Sequence, residues 1–438
     1  MFRFLTSVSG RGASWTTIGF VASYGIRLLS TLILTRLLAP DVFGLMVLAW
    51  VFIGAITMLS DLGTVPSVIR SARGDEKVFL DTAWSVQALR GLGIGVLTLL
   101  IAWPVAWLYD QPQLFAVLCA AAVIPVINGL NSISMASVRR HMQLGRLTLM
   151  TTFVQIFTVF ANVGFAWWLQ SIWGLVLGSV AGALFQLLLS YRWLPRYHPR
   201  IIFDRSVLSE ILVYGRWILL GTLFTYIGGQ GSTAVMGGFV PIATLGLISI
   251  AMIIASALED LVGRVLEFVV FPTLARLHRE GKPLRAQVGR DKQITVLGML
   301  PGFLLLSLLS QWVIDLFFDP RYAQAGGFLA LLALNAGLHI LQMPYQNAML
   351  AVGNSRGHSV VMATYSVSRL IFMVLGGYAF GVYGLLAGIA VGTLVTTLVS
   401  MAMAQKSGIC RPLYDFGAIA VLLLVYIRTL QSLPPIGV

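Results

Sequence analysis

Several charged side chains stand inside apolar stretches of this sequence, where each costs about 2.5 to 3.5 kcal/mol to place in hydrocarbon. In the run from Ala13 to Leu37, the residues Thr16, Ser23, Arg27, Ser30 and Thr31 fall on one broad helical face. In the run from His358 to Phe380, a stripe of His358, Tyr365, Arg369 and Gly376 again has an arginine near its middle. A guanidinium is a planar fork of donors suited to phosphate oxygens. Arg27 and Arg369, with Ser23 and Tyr365 beside them, are therefore candidate contacts for an anionic headgroup such as a diphosphate. The competing reading is that each arginine satisfies helix-end carbonyls or an acid elsewhere in the chain. Arg90 and Arg216 complete the candidate binding set. Both lie within two turns of the end of an apolar run, where a long side chain also reaches water.

A second group is acidic and basic together. Asp260, Arg264 and Glu267 sit at i, i+4 and i+7 with Glu259 beside them, which suits either a self-neutralised helix face or an ion-coupling network. His339, Gln342 and Gln346 either line a sugar path or bond neighbouring helices. Asp61, ahead of Gly63 and Pro66, suits a helix break. The two cysteines, Cys119 in an apolar run and Cys410 in a basic stretch, offer no disulfide framework or paired metal spacing. No HExxH, CxxC or nucleotide loop occurs, and Gly91-x-Gly93-x-Gly95 opens an apolar run with no strand before it. Neither catalysis nor a cofactor is expected.

The elements that must position these residues follow from composition. The 438 residues are 58% hydrophobic and 10% charged, against roughly 25% charged in soluble domains. Runs long enough to cross a bilayer, about 20 residues each, recur along the whole chain. Twelve spans are expected, near Ala13 to Leu37, Phe43 to Leu59, Ala83 to Leu108, Leu114 to Ala136, Leu147 to Trp168, Ile172 to Leu189, Leu208 to Ile227, Ile242 to Val270, Ile294 to Phe317, Ala325 to Leu350, His358 to Phe380 and Tyr383 to Ala404. Phe416 to Tyr426 is either a thirteenth span or an interfacial helix. The fold class is an all-α polytopic membrane protein of about 12 to 13 transmembrane helices. The short basic N-terminus precedes a segment too long for a signal-peptide core, so the first helix is expected to remain as an anchor.

The net charge of +13 reflects topology rather than nucleic-acid binding. Lys and Arg fall into alternate loops: Arg70/Arg73/Lys77, Arg139/Arg140/Arg146, Arg192/Arg196/Arg200/Arg205 and Arg276/Arg279/Lys282/Arg285/Arg290/Lys292. Before the tail, Arg321 and the boundary residue Arg36 are the only two basic residues expected on the outer side of the membrane. The positive-inside rule makes the basic loops and the N-terminus cytoplasmic. The chain also repeats itself. Trp15/Trp217, Gly19/Gly221, Gly44/Gly246, Leu45/Leu247 and Ala49/Ala251 match at an offset of 202, and Gly174/Gly384, Leu175/Leu385 and Gly178/Gly388 at 210. This predicts two pseudo-symmetric six-helix lobes, residues 1–191 and 207–404, around a central cavity. Residues 192–206 form a cytoplasmic interfacial linker and 405–438 a C-terminal tail. The paired GxxxG motifs suit close helix packing.

The stretch from Leu34 to Arg70, LTRLLAPDVFGLMVLAWVFIGAITMLSDLGTVPSVIR, resembles the polysaccharide-transporter (Wzx-like) oligosaccharide flippases of the multidrug/oligosaccharidyl-lipid/polysaccharide exporter superfamily. Arg73-Gly74-Asp75 and Phe79 to Trp84 extend the resemblance. Tyr214-Gly215-Arg216-Trp217, Ala243 to Leu247 and Phe271-Pro272-Thr273-Leu274-Ala275-Arg276 are similar to that family's seventh and eighth helices. The chain departs from the pattern at Ser232-Thr233, where the family usually has Asp-Arg, and at Gly238, where a further Arg is common. The resemblance fades after about Ala404, and against a family of up to fourteen spans the C-terminus looks shortened.

The resemblance implies a flippase in the bacterial inner membrane. It would move a polyprenyl-diphosphate-linked oligosaccharide, the repeat unit of an exopolysaccharide, capsule or O-antigen, from inner to outer leaflet by alternating access. Its partners would be that lipid-linked glycan, the bilayer, and polysaccharide polymerase and export machinery, with no nucleic acid. Alternatives are an ion-coupled small-molecule exporter of the same superfamily, which needs an aromatic and acidic cavity more than a cationic one, and a membrane-embedded glycan polymerase or ligase, which needs larger external loops. A noncatalytic scaffold would require neither mid-membrane arginines nor a two-lobe repeat. Reporters fused after Arg73, Arg146, Arg200, Lys282 and Arg356 should report cytoplasm, and those after Gln111, Gln170 and Gly381 the outside. Two adjacent loops on one side would overturn the span assignment.

Overall fold

The computed structural model describes residues 8–60, 63–141, 143–266, 270–406 and 413–433. The described regular structure is helical, as a water-free solvent demands, because a helix satisfies its own backbone donors and acceptors. In chain order the helices are α1 Val8–Leu37, α2 Pro40–Leu59, α3 Thr64–Arg70, α4 Lys77–Leu108, α5 Pro112–Ala121, α6 Val123–Gly129, α7 Ser134–Arg140, α8 Leu144–Leu169, α9 Ile172–Arg192 and α10 Arg205–Phe239. They continue with α11 Ile242–Val265, α12 Phe271–Arg279, α13 Arg285–Gln293, α14 Leu300–Leu308, α15 Ser310–Phe317, α16 Ala325–Ile340, α17 Met343–Ala351, α18 Ser355–Lys406 and α19 Leu413–Ser432. A π-helical turn, Ile294–Met299, joins α13 to α14.

Among the described residues nine helices are long and apolar enough to cross a membrane, or ten if the bent pair Arg285–Leu308 and Ser310–Phe317 is one span. The 52-residue α18 is itself broken at Phe380 and Gly381, where Gly381 takes a φ of 59°. That break separates the expected eleventh and twelfth spans. Asp415–Ser432 also has the length and apolarity of a span, so the tail carries a full helix rather than a short apolar piece. Asp61 lies outside the described residues, but a break is present beside it, with Gly63 at a φ of 61° before α3.

The chain divides into two compact units, Met1–Tyr226 and Ile227–Val438. Each contains the same glycine seam. In the first unit Gly174, Gly178 and Gly182 of α9 lie against Ala166, Asn162 and Thr158 of α8, and a Cβ on Gly174 would come within 2.6 Å of the Ala166 Cα. In the second, Gly384, Gly388 and Gly392 lie against Gly376, Phe372 and Arg369 across the α18 break. Only glycine permits such backbone approach, which drives helix association where lipid supplies no hydrophobic force. The Gly91 to Gly95 run also packs helices: Gly91 meets Gly129 and Gly95 meets Val126, while Gly93 has no neighbour within 4 Å.

One end of the first unit collects the basic loops. The Arg140 guanidinium donates to the carbonyls of Val68 (2.9 Å), Ile69 (2.8 Å) and Ser71 (2.6 Å), closing the C-terminus of α3, and bonds Asp75 at 2.9 Å. Arg73 reaches Ser206 at 3.0 Å. The segment between α9 and α10 is pinned along α4. Tyr197 donates to Asp81 at 2.7 Å, the Arg200 amide to the same carboxylate at 2.9 Å, and the Ile202 amide to Ser85 at 3.0 Å. Burial first, then the Asp81 carboxylate, pushes the Tyr197 phenol far above its ordinary range. Beneath these contacts Val68, Phe79, Ile133, Val207 and Ile211 form a buried core. Exposed Trp103, Trp107, Trp167 and Trp168 stand near the opposite ends of α4 and α8, as membrane-interface aromatics do.

In the second unit the span Ala325–Ala351 is 83% buried and forms the centre. Lys292, which its sequence neighbours group with a basic loop, is instead buried: its ammonium pairs with Asp415 of α19, both meet the Tyr345 hydroxyl, and the ammonium lies 3.8 Å from the Tyr345 ring centroid. Distance in sequence hid this pair, since Asp415 arrives from the last helix. It ties α19 to α13 and α17. Removing one partner of a buried pair costs about 3 to 5 kcal/mol, whereas removing both leaves no stranded charge. Lys292→Ala and Asp415→Ala should therefore each lower thermal stability more than the double variant does. Additive losses in a thermal melt of purified protein would contradict this.

Candidate functional site

In the second unit, residues far apart in sequence form one ionisable chain. Glu259 of α11 approaches His339 of α16 at 2.5 Å between Oε1 and Nδ1. The His339 ring lies 5.2 Å from that of Tyr365, on α18. The Tyr365 hydroxyl accepts from Arg369, one turn further along. The Arg369 Nε is buried without an acceptor. Its backbone is fixed by the glycine seam, because the nearest heavy atom a Cβ on Gly392 would meet is the Arg369 Cα at 2.5 Å. Beside the cluster Gln342 is fully buried and accepts from Ser400 at 3.4 Å, a bond between helices rather than a sugar contact.

In the first unit Arg27 is exposed on α1 and makes no hydrogen bond or ion pair with another side chain among the described residues. It lies ten residues before Leu37, or about 15 Å along the axis at 1.5 Å per residue. Ser23, one turn earlier, accepts at its carbonyl from Gln155 of α8 at 2.8 Å, which fixes that face of α1 against α8.

Arg90 lines a cavity of about 450 Å³ within the first unit. It donates to the Thr57 carbonyl at 2.6 Å and to Ser60 at 3.2 Å, closing the C-terminal end of α2, where the helix dipole favours a cation. Snorkelling to water is thus replaced by a helix cap. Gln87, Asn128, Asn131, Gln186 and Arg139 also line this cavity beside Trp50. Gln87 donates to the Gly129 and Asn131 carbonyls, both at 3.0 Å, and the Asn131 Oδ1 is buried without a donor. These amides, on α4, α6, α9 and the loop after α6, have no shared spacing, so sequence reading missed them.

The remaining expected residues stand apart. Arg216 lies on α10, its side chain outside the described residues, and Glu267 is outside them altogether. Asp260 is exposed on α11 one turn before Arg264. At the departure from the family pattern, Ser232 is fully buried with its hydroxyl unpartnered and Thr233 is buried beside it. Among the described residues no three His, Cys, Asp or Glu side chains converge as metal ligands.

The fold is that of the multidrug/oligosaccharidyl-lipid/polysaccharide exporter superfamily. It matches the lipid II flippase MurJ in its inward closed conformation with a TM-score of 0.70, over 95% of this chain and 93% of that one at 13% identity. An inward-facing multidrug resistance MATE transporter of the same superfamily matches with a TM-score of 0.59, over 93% and 96% at 14% identity. Residues 33–327 match the family model described as "Polysaccharide biosynthesis protein", and the chain belongs to that family. Relatives include "Lipopolysaccharide biosynthesis protein WzxC" of Escherichia coli (strain K12), 21% identical over 90% of this chain and 80% of that protein. "Succinoglycan biosynthesis transport protein ExoT" of Rhizobium meliloti (strain 1021) is 21% identical over 75% and 66%. The chain is a multi-pass membrane protein of the polysaccharide biosynthesis family with the fold of these exporters.

The cap made by Arg90 gives a direct expectation. A hydrogen bond to a charged group contributes about 1.5 to 3 kcal/mol, so Arg90→Ala should lower the melting temperature of purified protein, and lysine should restore part of it. An unchanged melt in Arg90→Ala would show that the bonds to Thr57 and Ser60 carry no stability.

Proposed function

We propose that this transporter moves a polyprenyl-diphosphate-linked oligosaccharide from the inner to the outer leaflet by alternating access. The observation that carries the reading is Arg27, an exposed guanidinium near the middle of the expected first span, ten residues before the end of α1 and without a partner among the described residues. A charge cannot face hydrocarbon at that depth without a large cost, so it faces water or an anion. Arg369, with its buried unpaired Nε, offers a second donor site in the other unit. A diphosphate supplies the multiple acceptors these forks require. Tyr365 and Ser23 flank the two arginines, and the amide-lined cavity beside Arg90 suits sugar hydroxyls. The relatives named for lipopolysaccharide and succinoglycan biosynthesis support a glycan cargo.

The basic end of the first unit supports a cytoplasmic N-terminus in the bacterial inner membrane, because that end gathers the Arg73, Arg140 and Arg200 loops. The lobe division at residues 1–191 and 207–404 belongs to the same reading, with 192–206 as the linker, which the contacts of Tyr197, Arg200 and Ile202 along α4 support. Asp260, Arg264 and Glu267 remain the proposed helix-face network. Polymerase and export proteins would receive the product outside.

Replacing Arg27 or Arg369 with alanine removes an anion contact yet relieves an insertion cost. Protein level should hold while surface polysaccharide falls in a deletion strain, and the lipid-linked precursor should accumulate inside. Lysine should rescue partly, since it keeps charge and loses the fork. Full surface polysaccharide from the double alanine variant, at normal abundance in the membrane, would overturn the assignment.

A further inference from the structure

We infer that the Glu259–His339 pair is a proton-binding site whose occupancy is linked to the anion at Arg369, an inference that rests on the headgroup reading for the linkage alone. A carboxylate and an imidazole, 2.5 Å apart between oxygen and nitrogen, sit on two spans of one unit. Ionisable groups there are expensive and mark functional sites by default. Histidine is the side chain that changes charge near neutral pH. The His339 side chain keeps 20% of its exposure and that of Glu259 27%, so the pair is not sealed inside the unit.

The chemistry is one bond made and broken. With Nδ1–H donating to the Glu259 carboxylate, the His339 Nε2 lone pair takes a proton from water and gives an imidazolium flanked by that carboxylate. The reverse step returns the proton to water. A metal ion fits less well, since a single carboxylate facing an imidazole does not supply the six or more oxygens a hard cation takes, and no larger ligand group converges among the described residues.

The surroundings set the direction of linkage. From α18 come Tyr365, whose ring is 5.2 Å from that of His339, and the fixed positive charge of Arg369. On α11 itself stand Asp260 and Arg264. The α14 segment packed on α16 brings no titratable side chain, α15 brings Asp315 at the far end of α16, α17 brings Tyr345, and α19 brings the buried phenol of Tyr426. Arg369 opposes the imidazolium when the site is empty. An anion on Arg369 cancels that charge, so bound diphosphate strengthens proton binding at His339. By reciprocity, protonation strengthens diphosphate binding by the same factor. The cargo would then cross with part of its charge compensated.

The test uses the full-length purified chain and a short-chain prenyl-diphospho-hexose, whose doubly esterified diphosphate does not itself titrate near neutrality. Imidazole nitrogen NMR, assigned with His339→Gln, should show His339 gaining a proton as the solution is acidified, with the probe favouring the protonated form. Probe affinity should tighten as pH falls, by up to about tenfold per pH unit, and His339→Gln should flatten that slope. His339 nitrogen signals that do not respond to pH overturn the proton site. Probe binding with a pH-independent affinity overturns the linkage alone. A titrating His339 in a chain that binds no probe overturns the linkage together with the headgroup reading.

Discussion

Water is missing from the hydrocarbon core, and a charge placed there has to be matched by another group of the protein, by a pocket of water or by cargo. That constraint sorts the ionisable side chains of this membrane protein into three kinds. Lys292 and Asp415 match each other, and the pair acts as a bolt on the last helix. Arg90 is matched by the carbonyl end of α2. Arg27 is matched by nothing among the described residues, and Arg369 only in part, which is the state expected of groups waiting for an anion.

The same solvent explains the packing. Lipid gives helices no hydrophobic reason to associate, so both units rely on close backbone contact along a glycine seam. In the second unit the seam has a further consequence, because Gly392 presses on the backbone of Arg369. The arginine is thereby held in register with Tyr365, His339 and Glu259 on their separate helices. A fixed position for the Arg369 guanidinium follows from a motif whose evident purpose is packing.

Much of this was legible in the sequence. Apolar run lengths placed the twelve expected segments, each of which is helical over most of its described length, and the offset of 210 between Gly174/Gly178 and Gly384/Gly388 marked two seams that prove geometrically alike. Alternating basic loops marked the end at which Arg73, Arg140 and the α9 to α10 segment converge. Contacts between distant segments were not legible. Lys292 looked like one more loop cation until Asp415 arrived from the tail, and Glu259 stood beside a network on its own helix while its partner His339 lay 80 residues away. The cavity amides carry no periodic signal because three different helices and a loop supply them.

The most direct measurement is translocation itself in proteoliposomes holding only the purified chain and a polyprenyl-diphosphate-linked oligosaccharide labelled on its sugar. Accessibility of the label to an impermeant enzyme would be followed in time. The label is predicted to cross from the leaflet in which it starts faster with wild-type protein than in protein-free vesicles, and Arg27→Ala with Arg369→Ala should remove most of the difference. Crossing at the protein-free rate with folded wild-type protein would contradict the assignment of this chain as the flippase.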